Sequence, residues 1–162
     1  MKGPSFISWR PHTTALVLIG VTIILVAIVT AYIASNFRPT VEVRLGSGVY
    51  SVWLADTDAE RTKGLSGVAT LAPNGGLLMD YQTEGSRGIW MKDMLVSIDI
   101  VWLDGDKKVV YIVRSASPEL GTDKTFTSDK PAQYVLEIPA GSAQQSGIRI
   151  GETAVFTPGA GL

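Results

Sequence analysis

Apolar and polar positions follow two regimes along this chain, and the change falls near Arg38. Before it, the run TTALVLIGVTIILVAIVTAYIA (Thr13–Ala34) is dense in Leu, Ile and Val, and no Asp, Glu, Lys or Arg occurs between Arg10 and Arg38. As a helix rising about 1.5 Å per residue, this stretch reaches about 33 Å, enough to cross a hydrocarbon core of about 30 Å. In lipid a helix satisfies its own backbone groups, so the β-branched residues do not argue for a strand. Val29-Thr30-Ala31 resembles the small-residue cleavage site of a signal peptide. The apolar run is longer than the roughly 7–15 residues of a signal h-region, which predicts a retained anchor over residues 13–35.

After Arg38 the apolar residues come in short runs bounded by turn residues. VEVRL (Val41–Leu45) and VYSVWLA (Val49–Ala55) flank Gly46-Ser47-Gly48, a three-residue hairpin signal. GLLMDY, IWMKDM, SIDIVWLD, VVYIV, AQYVLEI and IRIGETAVF follow, with a loop expected from Ser115 to Lys130. About eight short strands of this kind predict a mainly β domain of jelly-roll or sandwich type. Two short helices are predicted by capping boxes: Thr57 with Glu60, stopped by Gly64, and Ser142 with Gln145, stopped by Gly147. The predicted organisation is a short tail (1–12), the transmembrane helix (13–35), a spacer (36–40), the β-domain (41–157) and a frayed tail (158–162).

Charge narrows the partners. All fifteen acidic residues lie after the apolar run, against eleven basic residues after Arg38, so the β-domain carries about −4 and a nucleic-acid surface is not expected. Lys2, Arg10 and the terminal amine on one side, Arg38 and Arg44 on the other, tip the orientation toward a cytoplasmic N-terminus and an extracytoplasmic C-terminal domain. There is no cysteine, and the one histidine, His12, precedes the apolar run. No Ser-His-Asp, Cys-His, zinc-thiolate or His-ligated metal site is therefore expected in the β-domain, and no cofactor. DGD (Asp104–Asp106) lacks the further acids of a calcium loop and NGG (Asn74–Gly76) lacks the Lys of a phosphate loop; both read as turns.

What remains are charges inside apolar strands. In SIDIVWLD, Ile98, Ile100 and Trp102 share one face and Asp99, Val101 and Leu103 the other, so Asp99 is expected on a buried face, with Lys92 or Arg61 as its partner. Glu137, between Leu136 and Ile138, poses the same problem, and these four charges are expected to gather at one end of the core. Of Trp53, Trp90 and Trp102, Trp90 is expected to be the most exposed, because it follows the turn EGSRG and adjoins Lys92 and Asp93.

LADTDAERTKGLSGV, GLLMDY, GIWMKDMLVSIDIVWLD, KVVYIV and YVLEIPAGSAQQSGIRIG, in that order, resemble the family called domain of unknown function 192, over about Val41 to Phe156. The resemblance implies a mainly β fold behind a signal peptide or membrane anchor, and implies no reaction. Its pattern falls here on Glu60, Arg61, Gly64, Leu65, Trp90, Met91, Lys92, Asp93, Asp99, Glu137 and Gly141. Ser66 stands where many members have Met, and Asp93 where many have Asn. The expected activity is binding of an envelope glycan, peptide or protein partner, with Arg61, Trp90, Lys92, Asp93, Asp99 and Glu137 as candidate ligand-binding residues. The alternatives are a glycosidase-like hydrolase using Asp93, Asp99 and Glu137, and a polar cluster that only pins the fold.

Overall fold

The computed structural model describes residues 11–36 and 39–157. The leading residues 1–10 and the tail expected at 158–162 lie outside the described residues. The chain divides into two compact units, Met1–Phe37 and Arg38–Leu162.

The first unit contains α1 (Pro11–Asn36). Its stretch Thr14–Ala31 is long and apolar enough to cross a membrane, and none of it is buried against protein. A signal sequence meets the same description. The hydroxyls of Thr22 and Thr30 donate back to Leu18 O and Val26 O, both at 2.9 Å, so they present no unmatched donor to an apolar surrounding.

The second unit is mainly β. Its strands are β1 (Thr40–Leu45), β2 (Gly48–Ala55), β3 (Leu77–Gly85), β4 (Gly88–Trp90), β5 (Ile98–Leu103), β6 (Val109–Ala116), β7 (Thr125–Thr127) and β8 (Ala132–Pro139). Six form one sheet in the order β1-β2-β3-β8-β5-β6, and β4 pairs with β7 in a second. All pairs are antiparallel except β2–β3. The C-terminal segment then closes the large sheet. Val155 exchanges both backbone bonds with Arg44 of β1 at 2.9 and 3.0 Å, while Ala154 N donates to Lys107 O and Val109 N to Glu152 O beside β6. One segment thus covers both sheet edges, and the sheet curls round on itself.

Two apolar cores result, one on each face. The inner core holds Val43, Leu45, Val52, Leu78, Val101, Leu103, Leu136 and Ile138. The outer core holds Leu65, Leu77, Met79, Ile89, Met91, Met94, Ile100, Trp102 and Val135, and is roofed by α2 (Asp58–Lys63), β4, β7 and their loops. Because β5 and β8 are covered on both sides, both faces of each strand are apolar, and every residue of β5 is buried.

Several local expectations need correction. The first hairpin turn has two residues, since Gly48 already pairs with Leu45. IWMKDM is a strand only through Trp90; Asp93 takes a left-handed φ of 55° and the chain turns. IRIGETAVF makes isolated bridges at Thr153 and Val155 instead of a strand, and β7 falls inside the expected loop. Thr57 and Glu60 do form a complete capping box. Ser142 does not cap: Gly141, at φ 88°, is the N-cap of α3 (Ser142–Gln145), and no side chain of its own turn accepts a bond there.

Candidate functional site

Asp99 and Glu137 are the two buried acids among the described residues, and register decides their relation. Asp99 of β5 lies opposite Ile138 of β8, and Ile100 lies opposite Glu137. Directly opposed residues of an antiparallel pair share a face, so Asp99 points to the inner core and Glu137 to the outer one. The expected single cluster does not form. Nor do Asp99 and Glu137 share a cleft, as a two-carboxylate hydrolase would require.

Asp99 is completely buried and fully matched. Its Oδ1 accepts from Ser115 N and its Oδ2 from Ala143 N, both at 2.8 Å. Ser115 sits at φ 52° in an irregular stretch of β6, and Ala143 is in the first turn of α3. Asp99 thus supplies from a neighbouring strand the cap that α3 lacks, and ties β5, β6 and α3 together. Neither Lys92 nor Arg61 is its partner.

Glu137 is the opposite case. It lies in the middle strand of the sheet, between Leu77 and Ile100, and is 3 % exposed. Its Oε2 is buried without a hydrogen-bond partner. Burial pushes its pKa up to about 8, and no cation offsets it, so the carboxyl is mostly protonated at neutral pH.

Above Glu137 is a cavity of about 250 Å³. Buried Leu65, Met79, Ile89 and Met94 wall it, with Tyr81 and Ser66; Arg61, Lys63 and Trp90 border it. The roof is α2, started by the Thr57 box and ended at Gly64, which has a φ of 50°. A Cβ on Gly64 would sit 3.4 Å from Met79 Cε and 4.0 Å from Glu137 Oε2, so the helix end packs closely over the carboxyl.

Arg61 borders the cavity, but its guanidinium is engaged elsewhere. Nη1 donates to Asp56 O at 2.6 Å and Asp80 O at 2.5 Å, and Nη2 to Asp58 Oδ1 at 2.5 Å. It also lies 5.0 Å from the Tyr81 ring centroid, with Arg87 at 4.3 Å. The Tyr81 pKa is raised, first by burial and then by the negative charge of Glu137. Trp90 is 46 % exposed on the rim. Lys92 and Asp93 are exposed and do not line the cavity; they act through their backbone, Lys92 O accepting from Ser66 Oγ at 2.9 Å and Asp93 O from Gly67 N at 2.8 Å.

Of the six candidates, then, Arg61, Trp90 and Glu137 meet at one cavity, Lys92 and Asp93 lie outside it and brace Ser66 and Gly67 through their backbone, and Asp99 lies on the other side of the sheet. Sequence reasoning missed Lys63, Ser66, Met79, Tyr81 and Met94. Their signal was present in ERTKGLS and GLLMDY, which carry four of them, but nothing local told those residues apart from ordinary core and loop. Among the described residues no group of three or more acidic or histidine side chains could hold a metal ion.

Three comparisons agree with this architecture. UPF0127 protein TK1120 of Thermococcus kodakarensis is 32 % identical over 107 residues, 66 % of this chain and 65 % of that protein, so the match spans just under two thirds of that relative. A Sinorhizobium meliloti 1021 structure described as a candidate transcription regulator superposes with a TM-score of 0.67 at 26 % identity, covering 74 % of this chain and 94 % of the other. A protein of unknown function from Novosphingobium aromaticivorans DSM 12444 gives 0.66 at 28 %, covering 73 % and 84 %. The sequence model of DUF192, described as "Uncharacterized ACR", matches residues 41–156, the whole curled-sheet domain, and the chain belongs to that family.

Proposed function

We propose that this protein is a membrane-anchored, extracytoplasmic binding module whose ligand enters the cavity above Glu137. The observation that carries the reading is the buried, unpartnered Glu137 Oε2 beneath that cavity. An unmatched buried polar atom is costly, and one that lines an open cavity has a use when a ligand supplies its partner. The apolar helix α1 and the cations before it support the anchored orientation. Trp90, exposed on the rim, offers an aromatic surface to whatever part of an envelope glycan, peptide or protein remains outside.

A hydrolase using two carboxylates is the weaker reading, because Asp99 is saturated on the opposite face. A role in nucleic-acid binding, suggested by the description of one solved relative, fits poorly with a domain of formal charge about −4.

The test is a thermal-shift screen of the full chain in detergent micelles against fractionated small molecules from cell envelopes, run beside Thr62→Trp. Thr62 is an exposed α2 residue lining the cavity, so the indole blocks the mouth without entering the core. A fraction that raises the unfolding temperature of the native chain and not of the variant supports the site. Equal response of both, or none, refutes it. Protease shaving of intact cells tests the topology: a domain that stays uncut until lysis refutes the extracytoplasmic placement.

A further inference from the structure

The polar atoms around the cavity divide by which of them still have a proton to give. Tyr81 Oη donates its proton to Met79 Sδ at 3.5 Å, and Ser66 Oγ donates its own to Lys92 O at 2.9 Å. Three of the five Arg61 N–H groups, both on Nη1 and one on Nη2, go to the carbonyls of Asp56 and Asp80 and to Asp58. What these two hydroxyls have left to offer is lone pairs, and Glu137, whose Oε2 has no partner, lines the same cavity. The buried walls Leu65, Met79, Ile89 and Met94 are apolar, and the other donor-bearing side chains of the lining, Thr62, Lys63 and Trp90, are exposed to solvent.

A ligand suited to this surface brings several N–H donors, no acceptor of its own at that end, and an apolar stem. A primary ammonium has three donors and no acceptor, whereas a hydroxyl or an amide brings acceptors that would be left unmatched. We infer that the cavity takes a primary alkylammonium, seated on the Glu137 carboxylate with its carbon stem along Met79, Met94 and Leu65. The inference rests on the cavity being a binding site. The charged and titratable groups facing Glu137 across it are Asp58, Arg61 and Lys63 from α2 and Tyr81 from β3. Arg61 is balanced by Asp58 at 2.5 Å, and Lys63 is exposed to solvent at the mouth.

The experiment is calorimetric titration of the full chain in detergent micelles with pentan-1-amine, with pentan-1-ol as the neutral equivalent, and with Nα-acetyl-lysine N-methylamide to separate a peptide-borne ammonium from a free amine. The unliganded carboxyl holds its proton up to about pH 8, so an ammonium must displace that proton. Amine affinity should therefore rise about tenfold from pH 6 to pH 7 and level off above about pH 8, below the ordinary amine pKa of about 10.4. The alcohol should bind at least tenfold more weakly with no such dependence. Glu137→Gln, its fold checked by circular dichroism, should lose amine binding at least tenfold, and Thr62→Trp should abolish it.

Equal binding of alcohol and amine, affinity that falls as pH rises, or undiminished binding by Glu137→Gln overturns the inference. If the amines fail while an envelope fraction still stabilises the native chain and not Thr62→Trp, the ligand class is wrong and the site stands. If both fail, the site falls as well.

Discussion

Replacing Glu137 by Gln removes one ionisation from the core while nearly preserving shape, and its effect on stability follows from linkage. The folded pKa is about 8 against an ordinary value of 4.5. Between those values the folded chain keeps a proton that the unfolded chain releases, so the raised pKa lowers stability as pH rises. The slope is about 1.4 kcal/mol per pH unit, and over the gap it amounts to ~5 kcal/mol. Nothing is lost below pH 4.5, and the full amount is lost above about pH 8. Glu137 is 3 % exposed and has no ion pair, so solvent screening takes little from this figure. The assay is urea unfolding of residues 38–162, native and Glu137→Gln, from pH 5 to pH 8.5. The fragment is justified because Arg38–Leu162 is its own compact unit, and the two superposed structures contain little beyond it, with 94 % and 84 % of those chains covered. Taking the difference between the two proteins cancels the other titrating groups. That difference should move in favour of Gln by about 1.4 kcal/mol for each pH unit between 5 and 8. A difference that stays flat, or moves the other way, would refute the reading of Glu137 as a neutral, uncompensated acid.

Two further substitutions probe the frame that holds the site. Asp99→Ala strands the buried N–H of Ala143 and the part-buried N–H of Ser115 and should cost roughly 2–4 kcal/mol in denaturant unfolding; a loss below about 1 kcal/mol would show that this tie is dispensable. Gly76 has a φ of 157°, and a Cβ there would lie 2.1 Å from Glu137 O. Gly76→Ala must therefore push β3 and β8 apart at the cavity floor, lowering stability by roughly 2 kcal/mol or more, read as a fall in unfolding temperature.

Alternation within a strand was legible from the sequence: Asp99 with Val101 and Leu103, and Glu137 with Val135, are grouped as the structure groups them. The relation between the two strands was not. Shifting β5 by one residue against β8 would set Asp99 opposite Glu137, and both registers satisfy the apolar pattern because both faces of both strands are covered. Register here depends on contacts distant in sequence, such as Ala143 N reaching Asp99, which no local window contains. The same contact explains Ser142: SAQQ reads as a self-capping turn, but the acceptor comes from another strand. Asp93 shows the converse. Its left-handed φ of 55° is a conformation that Asn and Asp tolerate better than most residues, so the Asn or Asp of the family pattern is accounted for by the turn without any ligand.

The two buried acids also separate the fold-pinning explanation from the binding one. An acid retained only to hold strands together has its acceptors filled, and Asp99 meets that description at both oxygens. Glu137 does not: Oε2 has no donor, nearby Arg61 is turned toward Asp56, Asp58 and Asp80, and burial makes ionisation unfavourable. A leucine at position 137 would satisfy the outer core on apolar grounds alone, since its strand neighbours on that face are Leu77, Ile100 and Val135. An interaction that weakens the folded state and ties nothing down is how a binding site held ready for its ligand differs from a structural one. On that argument the proposed binding role rests on Glu137 more than on the exposed Lys92 and Asp93 that stand out in the sequence.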